Sequence, residues 1–152
     1  LFDKYKKLFK YDEQNNIDDR YVLIPVSTIN EELTKNIVEL EKLGEELTMV
    51  LQRKYAKVFE NQGKTNLSIW ISRDIDGDEI EDSTSEKCLV KEYRSQIAID
   101  YDGQKLNEDI YAETICLWYY FGGYLKGSGT LYDLSKNNLE EDIEKALVML
   151  LN

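Results

Sequence analysis

From Ile29 to about Glu60, apolar residues recur at Leu33, Ile37, Leu40, Leu43, Leu47, Val50, Leu51, Tyr55 and Val58. That alternation of three- and four-residue steps is the signature of a helix with one buried stripe. Ser27 or Thr28 can cap its start, and Glu31 and Glu32 suit the positive end of the helix dipole. Gly44 interrupts the stripe at a cost of about 1 kcal/mol relative to alanine. One long helix or two shorter ones fit the pattern equally. Upstream, Tyr21-Val22-Leu23-Ile24-Pro25-Val26 reads as a strand, and its proline predicts an edge position or a strand end. Before it, Phe2, Tyr5, Leu8 and Phe9 fall on one side of a short amphipathic helix whose other side carries lysines.

Further along, Leu67, Ile69 and Ile71 alternate with Ser68, Trp70 and Ser72, and a second β-rich stretch runs from Cys88 to Tyr101. Together they predict a hairpin with a long polar connection, roughly Asp74 to Glu86. Ile110, Thr114, Leu117, Trp118 and Phe121 then take helical spacing, with Asn107 as cap and Gly122-Gly123 as stop. A last helix carries Leu139, Ile143, Leu147 and Leu150 on one face and Glu140, Glu141 and Asp142 in its first turn. A further short strand around Thr130-Leu131-Tyr132 is an open possibility. The order lacks the regular βα alternation of a doubly wound fold, so the expectation is an α+β domain, an antiparallel sheet with helices packed to one side.

Composition fits that architecture: 152 residues, 42% of them hydrophobic, suffice for one domain with its own core. With a single proline and eight glycines there is no Pro/Gly-rich linker. No apolar run approaches the roughly 20 residues needed to cross a bilayer, and the lysine-rich start precedes no signal-type apolar segment. A soluble, cytoplasmic protein with no membrane contact is expected. Cys88, placed in a strand, and Cys116, placed in a helix, have apolar neighbours and read as buried, reduced thiols.

Charge changes the picture most. The formal net charge is −11, and Asp74, Asp76, Asp78, Glu79, Glu81 and Asp82 crowd six carboxylates into nine residues with no base among them. The segment is not a calcium loop of the helix–loop–helix kind: setting Gly77 at the required glycine puts Ser72 and Ser83 where Asp and Glu are needed. Because the chain has no histidine, Ser–His and Cys–His nucleophile pairs are excluded, and a zinc site would depend mostly on carboxylates. Gly122 to Gly129 lacks the order of a phosphate-binding loop and follows a predicted helix. Neither a cofactor, a metal nor a catalytic function is expected.

The eleven tyrosines concentrate toward the C-terminal half, among them Tyr93, Tyr101, Tyr111, Tyr119, Tyr120, Tyr124 and Tyr132. Tyrosine suits interfaces, where its ring supplies area and its hydroxyl direction. Direct nucleic-acid binding conflicts with 19 bases against 30 acids, whereas rows of carboxylates can occupy the basic cleft of a protein that itself binds phosphate. In size, charge and this pairing of an acidic segment with Tyr119-Tyr120, the chain resembles bacterial toxin-immunity proteins, including those of contact-dependent growth inhibition. The resemblance implies a cytoplasmic inhibitor of one cognate, basic toxin, a nuclease in many such pairs. The candidate partner-binding residues are Asp74, Asp76, Asp78, Glu79, Glu81 and Asp82, with Asp100, Asp102, Tyr119 and Tyr120. An acidic secretion chaperone, a homodimer wrapping an extended effector segment, is the alternative.

Overall fold

A six-stranded antiparallel sheet carries one long helix across one face, and a second helix closes the same core. The computed structural model describes residues 18–80, 84–103, 110–121 and 127–152. In chain order the elements are β1 (Tyr21–Ile24), α1 (Glu31–Asn61), β2 (Ser68–Ile75), β3 (Asp78–Glu79), β4 (Tyr93–Asp100), β5 (Glu113–Tyr120), β6 (Gly129–Tyr132) and α2 (Leu139–Leu151). Across the sheet the strands run β1-β6-β5-β4-β2-β3, so β1 and the two-residue β3 form the edges. The expected α+β architecture is present, with β1 at an edge and Pro25 just beyond its end.

The helical spacing that begins at Leu33 produces a single helix of 31 residues. Its cap is Asn30, one turn later than the expected Ser27 or Thr28, because residues 26–28 coil into a one-turn 3-10 segment; the Asn30 side chain accepts the Leu33 N–H at 3.0 Å. Gly44 lies inside α1, fully buried, where the helix passes closest to the sheet. A Cβ there would stand 2.7 Å from Ile71 Cδ1 and within 3.3 Å of Ile97 and Leu117 methyls. The missing side chain is what lets the helix lie over β2, β4 and β5. Near its C-terminal half, Gln52 bonds both the Leu67 carbonyl and, at 2.8 Å, the Ile69 N–H, fixing where β2 begins.

Leu40, Leu51 and Phe59 of α1, Ile69, Ile97, Ile99, Ile115 and Leu117 of the sheet, and Leu139, Ile143 and Leu147 of α2 form the main core. A smaller cluster of Leu33, Ile37, Cys88, Tyr93 and Trp118 continues it toward the start of α1. Asn138 caps α2 through the Glu141 N–H at 3.1 Å, and Glu144 binds Lys54 at 3.0 Å and Tyr55 at 2.5 Å, joining the helices.

Three expectations are corrected. Residues 113–120 form the strand β5, not a helix. Between β4 and β5 the register shifts: Gln96 faces Cys116 and Ser95 faces Trp118, leaving Leu117 as an extra residue in a bulge. The bulge turns Leu117 and Trp118 both toward α1, so the apolar residues Leu117, Trp118 and Phe121 imitate helical spacing in a strand. The acidic stretch is likewise no long loop: β2 runs through Asp74 to Ile75, Asp76 (φ 53°) and Gly77 (φ 86°) make a tight turn, and β3 folds back. The chain then crosses to the other edge of β2 and enters β4 at Tyr93, so Cys88 sits not in a strand but at the end of a 3-10 turn (Ser85–Lys87). Cys116 is in β5. The helix expected over Phe2–Phe9, the Asn107 cap and the Gly122-Gly123 stop lie outside the described residues.

Candidate protein-docking face

Alternation along the strands sends Ile69, Ile71 and Arg73 of β2 toward α1 and leaves Ser68, Trp70, Ser72 and Asp74 on the opposite face. Register sets each of these beside a residue of β4: Ser68 by Asp100, Trp70 by Ala98, Ser72 by Gln96 and Asp74 by Arg94. Beyond β4, Thr114 pairs with Ala98, Cys116 with Gln96 and, past the bulge, Tyr119 with Arg94. This face is polar and carboxylate-rich, with one partly buried indole in its middle.

Tyr111 organises it. Although residue 111 leads into β5, its ring lies 5.0 Å from that of Trp70 at 81°, and its hydroxyl donates to Glu79 Oε2 at 2.8 Å on β3. Ile110 to Ala112 therefore cross the sheet over β4. The edge-to-face geometry is the favoured one for aromatic pairs, worth about 0.5–1.5 kcal/mol beyond area burial. Burial, and then the bond to Glu79, hold the Tyr111 phenol above its ordinary value, so it stays a proton donor. Ser72 adds a weaker bond to Glu79 Oε1 at 3.4 Å.

Beside this pair lies a groove of about 530 Å³ whose lining includes Asp74, Glu79, Arg94, Gln96, Tyr111 and Glu113. Arg94 donates Nε–H to Asp74 Oδ1 at 3.1 Å, and its guanidinium stands 5.8 Å above the Tyr119 ring. Tyr119 in turn bonds the buried Glu92 at 3.3 Å. At the far end of the sheet, Asp100 and Asp102 border a second hollow with Asn66, Ser68 and Trp70. One oxygen of Asp100 is buried without a hydrogen bond among the described residues, while Asp102 accepts from Asn66.

The candidate residues thus separate. Asp76, Asp78 and Glu79 are exposed at the β2–β3 turn, and Asp102 is exposed at the opposite end, next to the half-buried Asp100. Asp74 and Tyr119 lie on the same face but are covered by their neighbours, 6% and 8% exposed, and Tyr120 is half-buried against Trp118 on the helix side. Glu81 and Asp82 lie outside the described residues. The residues that shape the face, Trp70, Tyr111, Arg94 and Gln96, were not among the candidates. Trp70 carried a usable signal, a large aromatic at a polar position between Ser68 and Ser72. Among the described residues, no group of three or more His, Cys, Asp or Glu is arranged to hold a metal ion, and no helix is long and apolar enough to cross a membrane. Comparison with models of known protein families, with curated proteins and with solved structures finds no match for the chain.

Proposed function

We propose that this protein binds and neutralises a cognate basic protein, a bacterial toxin of nuclease type, by laying the sheet face opposite α1 against the toxin's cationic active site or a surface beside it. The reading rests on one observation: the Trp70–Tyr111 pair sits at the centre of a face bordered by Asp76, Asp78 and Glu79 on one side and Asp100 and Asp102 on the other. Partly buried aromatics ringed by polar groups are the pattern of binding hot spots. The net charge of −11 favours encounter with a basic surface. In this reading the carboxylates stand where a nuclease would hold phosphates, and inhibition follows from occupancy.

Co-expression with the toxin encoded beside its gene tests the proposal. Protection should be accompanied by a one-to-one complex that weakens when Trp70 is replaced by alanine. No protection, together with a homodimer that binds an extended effector segment, would transfer the assignment to an acidic secretion chaperone.

A further inference from the structure

The groove beside Trp70 and Tyr111 contains more than an acidic rim. Gln96 lines it; the residue is only 7% exposed, and its side-chain amide, which makes no hydrogen bond to the described residues, is open to the groove. Among the described residues the fully buried side-chain atoms without a bond are Ser95 Oγ and Asp100 Oδ1, so the Gln96 amide opens to the groove and takes its hydrogen bonds from there, from water or from a group that replaces water. Next to it Asp74, 6% exposed, gives Oδ1 to Arg94, while its other oxygen accepts nothing among the described residues. Glu79 and Glu113 add two further carboxylates to the lining against the single guanidinium of Arg94, which leaves a negative excess of two charges. The volume, about 530 Å³, lies within the range of sites that enclose a small ligand, roughly 300–1,000 Å³.

We propose that this groove receives one basic side chain of the protein partner, a lysine or arginine, whose cationic head meets the free oxygen of Asp74 and the Gln96 amide oxygen while its stem lies along Tyr111. The inference rests on the reading that this face docks a basic protein. An anionic group is disfavoured because three carboxylates surround the one guanidinium, whose Nε is already engaged by Asp74. Gln96 can turn its amide to present the carbonyl, so it accepts from either an ammonium or a guanidinium.

The test is an NMR titration of the ¹⁵N-labelled full chain with N-acetyl-argininamide and N-acetyl-lysinamide, using N-acetyl-norleucinamide as a neutral isostere and N-acetyl-glutamate as an anion. Both basic probes should shift the Gln96 side-chain amide resonances saturably in the millimolar range. The neutral and anionic probes should bind at least tenfold more weakly, and Gln96→Met and Asp74→Asn should each weaken the basic probes at least tenfold. An unmoved Gln96 amide, or equal shifts with norleucinamide, overturns the proposal, and this readout on the unaltered protein needs no variant to fold. A partner that binds Gln96→Met at full strength but loses affinity for Trp70→Ala would overturn the groove assignment while leaving the docking face intact. Saturation by the basic probes in a protein that protects against no toxin would keep the groove and remove the toxin-binding reading.

Discussion

Arg73 of β2 donates Nε–H to Glu41 Oε1 at 2.7 Å across the helix–sheet interface, and the Glu41 side chain has no solvent exposure. Ser85 and Tyr93 donate to the same carboxylate at 2.9 and 2.8 Å, and Glu45 holds the other end of the guanidinium at 3.0 Å. Burial works against the Arg73 charge, but the Coulombic pull and hydrogen bond of Glu41 outweigh it and raise its pKa. One carboxylate thus ties α1, β2, β4 and the 84–92 crossing together.

Glu41→Ala should therefore destabilise the fold by about 3 kcal/mol, because a buried cation loses its fully buried counter-charge and Glu45, which also holds it, is exposed. Replacing Glu41 and Arg73 together by methionine should recover most of that loss, since well-packed apolar side chains often substitute for a buried ion pair at little cost. Urea unfolding of the two single variants and the double variant measures it; a double variant as unstable as the sum of the singles would refute the coupling.

Gly129→Ala should cost about 2–3 kcal/mol through overpacking. A Cβ on Gly129 would stand 2.4 Å from the Trp118 ring and 2.6 Å from the Tyr119 carbonyl oxygen, and Trp118, fully buried, has its indole N–H fixed on the Cys88 carbonyl at 2.7 Å. Thermal melting of the variant, with wild-type-like stability as the contrary outcome, decides the point.

Stability should fall as pH rises above about 9. Burial pushes the Cys88 thiol up to about 11 and that of Cys116 to about 12, from an ordinary 9.0. Burial likewise raises the phenols of Tyr21, Tyr93 and Tyr132. In each case the folded state keeps a proton that the unfolded chain gives up. The contribution is whole below the unfolded pKa and is lost as pH climbs through the folded one. Urea midpoints measured from pH 7 to 11 should decline beyond pH 9; a flat profile would contradict buried, protonated thiols and phenols.

Association with a basic partner should slow markedly between 20 and 500 mM salt. Steering by the charge of −11 is screened over roughly 8 Å at physiological ionic strength. Stopped-flow rates that do not change with salt would remove steering as the role of the acid excess. Asp76→Asn with Asp78→Asn should lower the association rate and barely alter melting, because both side chains are exposed at the β2–β3 turn.

Trp70→Ala should weaken the complex by about 2 kcal/mol or more, roughly thirtyfold, the size of a hot-spot aromatic. Circular dichroism and calorimetric titration separate that effect from unfolding. Affinity within a factor of two of wild type would exclude the Trp70–Tyr111 pair from the interface.

The elements that were legible in the sequence are those with one exposed side. The stripe from Leu33 to Phe59 and the alternation from Leu67 to Ser72 each report a single buried face, and both became the expected element. β5 was illegible because its bulge shifts the period at Leu117 and most of its side chains are at least half-buried. Among the candidate residues, the exposed carboxylates of the turn were readable from local composition. The groove was not, because Gln96, Arg94 and Tyr111 come together only through the strand order and the crossing of residues 110–112 over β4. Glu41 was hidden for the same reason: one acid among thirty carries no mark of burial until Arg73 is placed beneath it.

The two sheet edges have a consequence for association. At one margin β3 covers only Asp74 and Ile75 of β2 with Asp78 and Glu79, and at the other β1 is four residues long and ends against Pro25, which has no N–H to donate. The acidic β3 and the proline-terminated β1 are themselves poor templates for an added strand. What stays without a strand neighbour among the described residues is the outer side of β2 from Ser68 to Arg73, where Gln52 already takes the Ile69 N–H, so a visiting strand has one short stretch of backbone on which to pair.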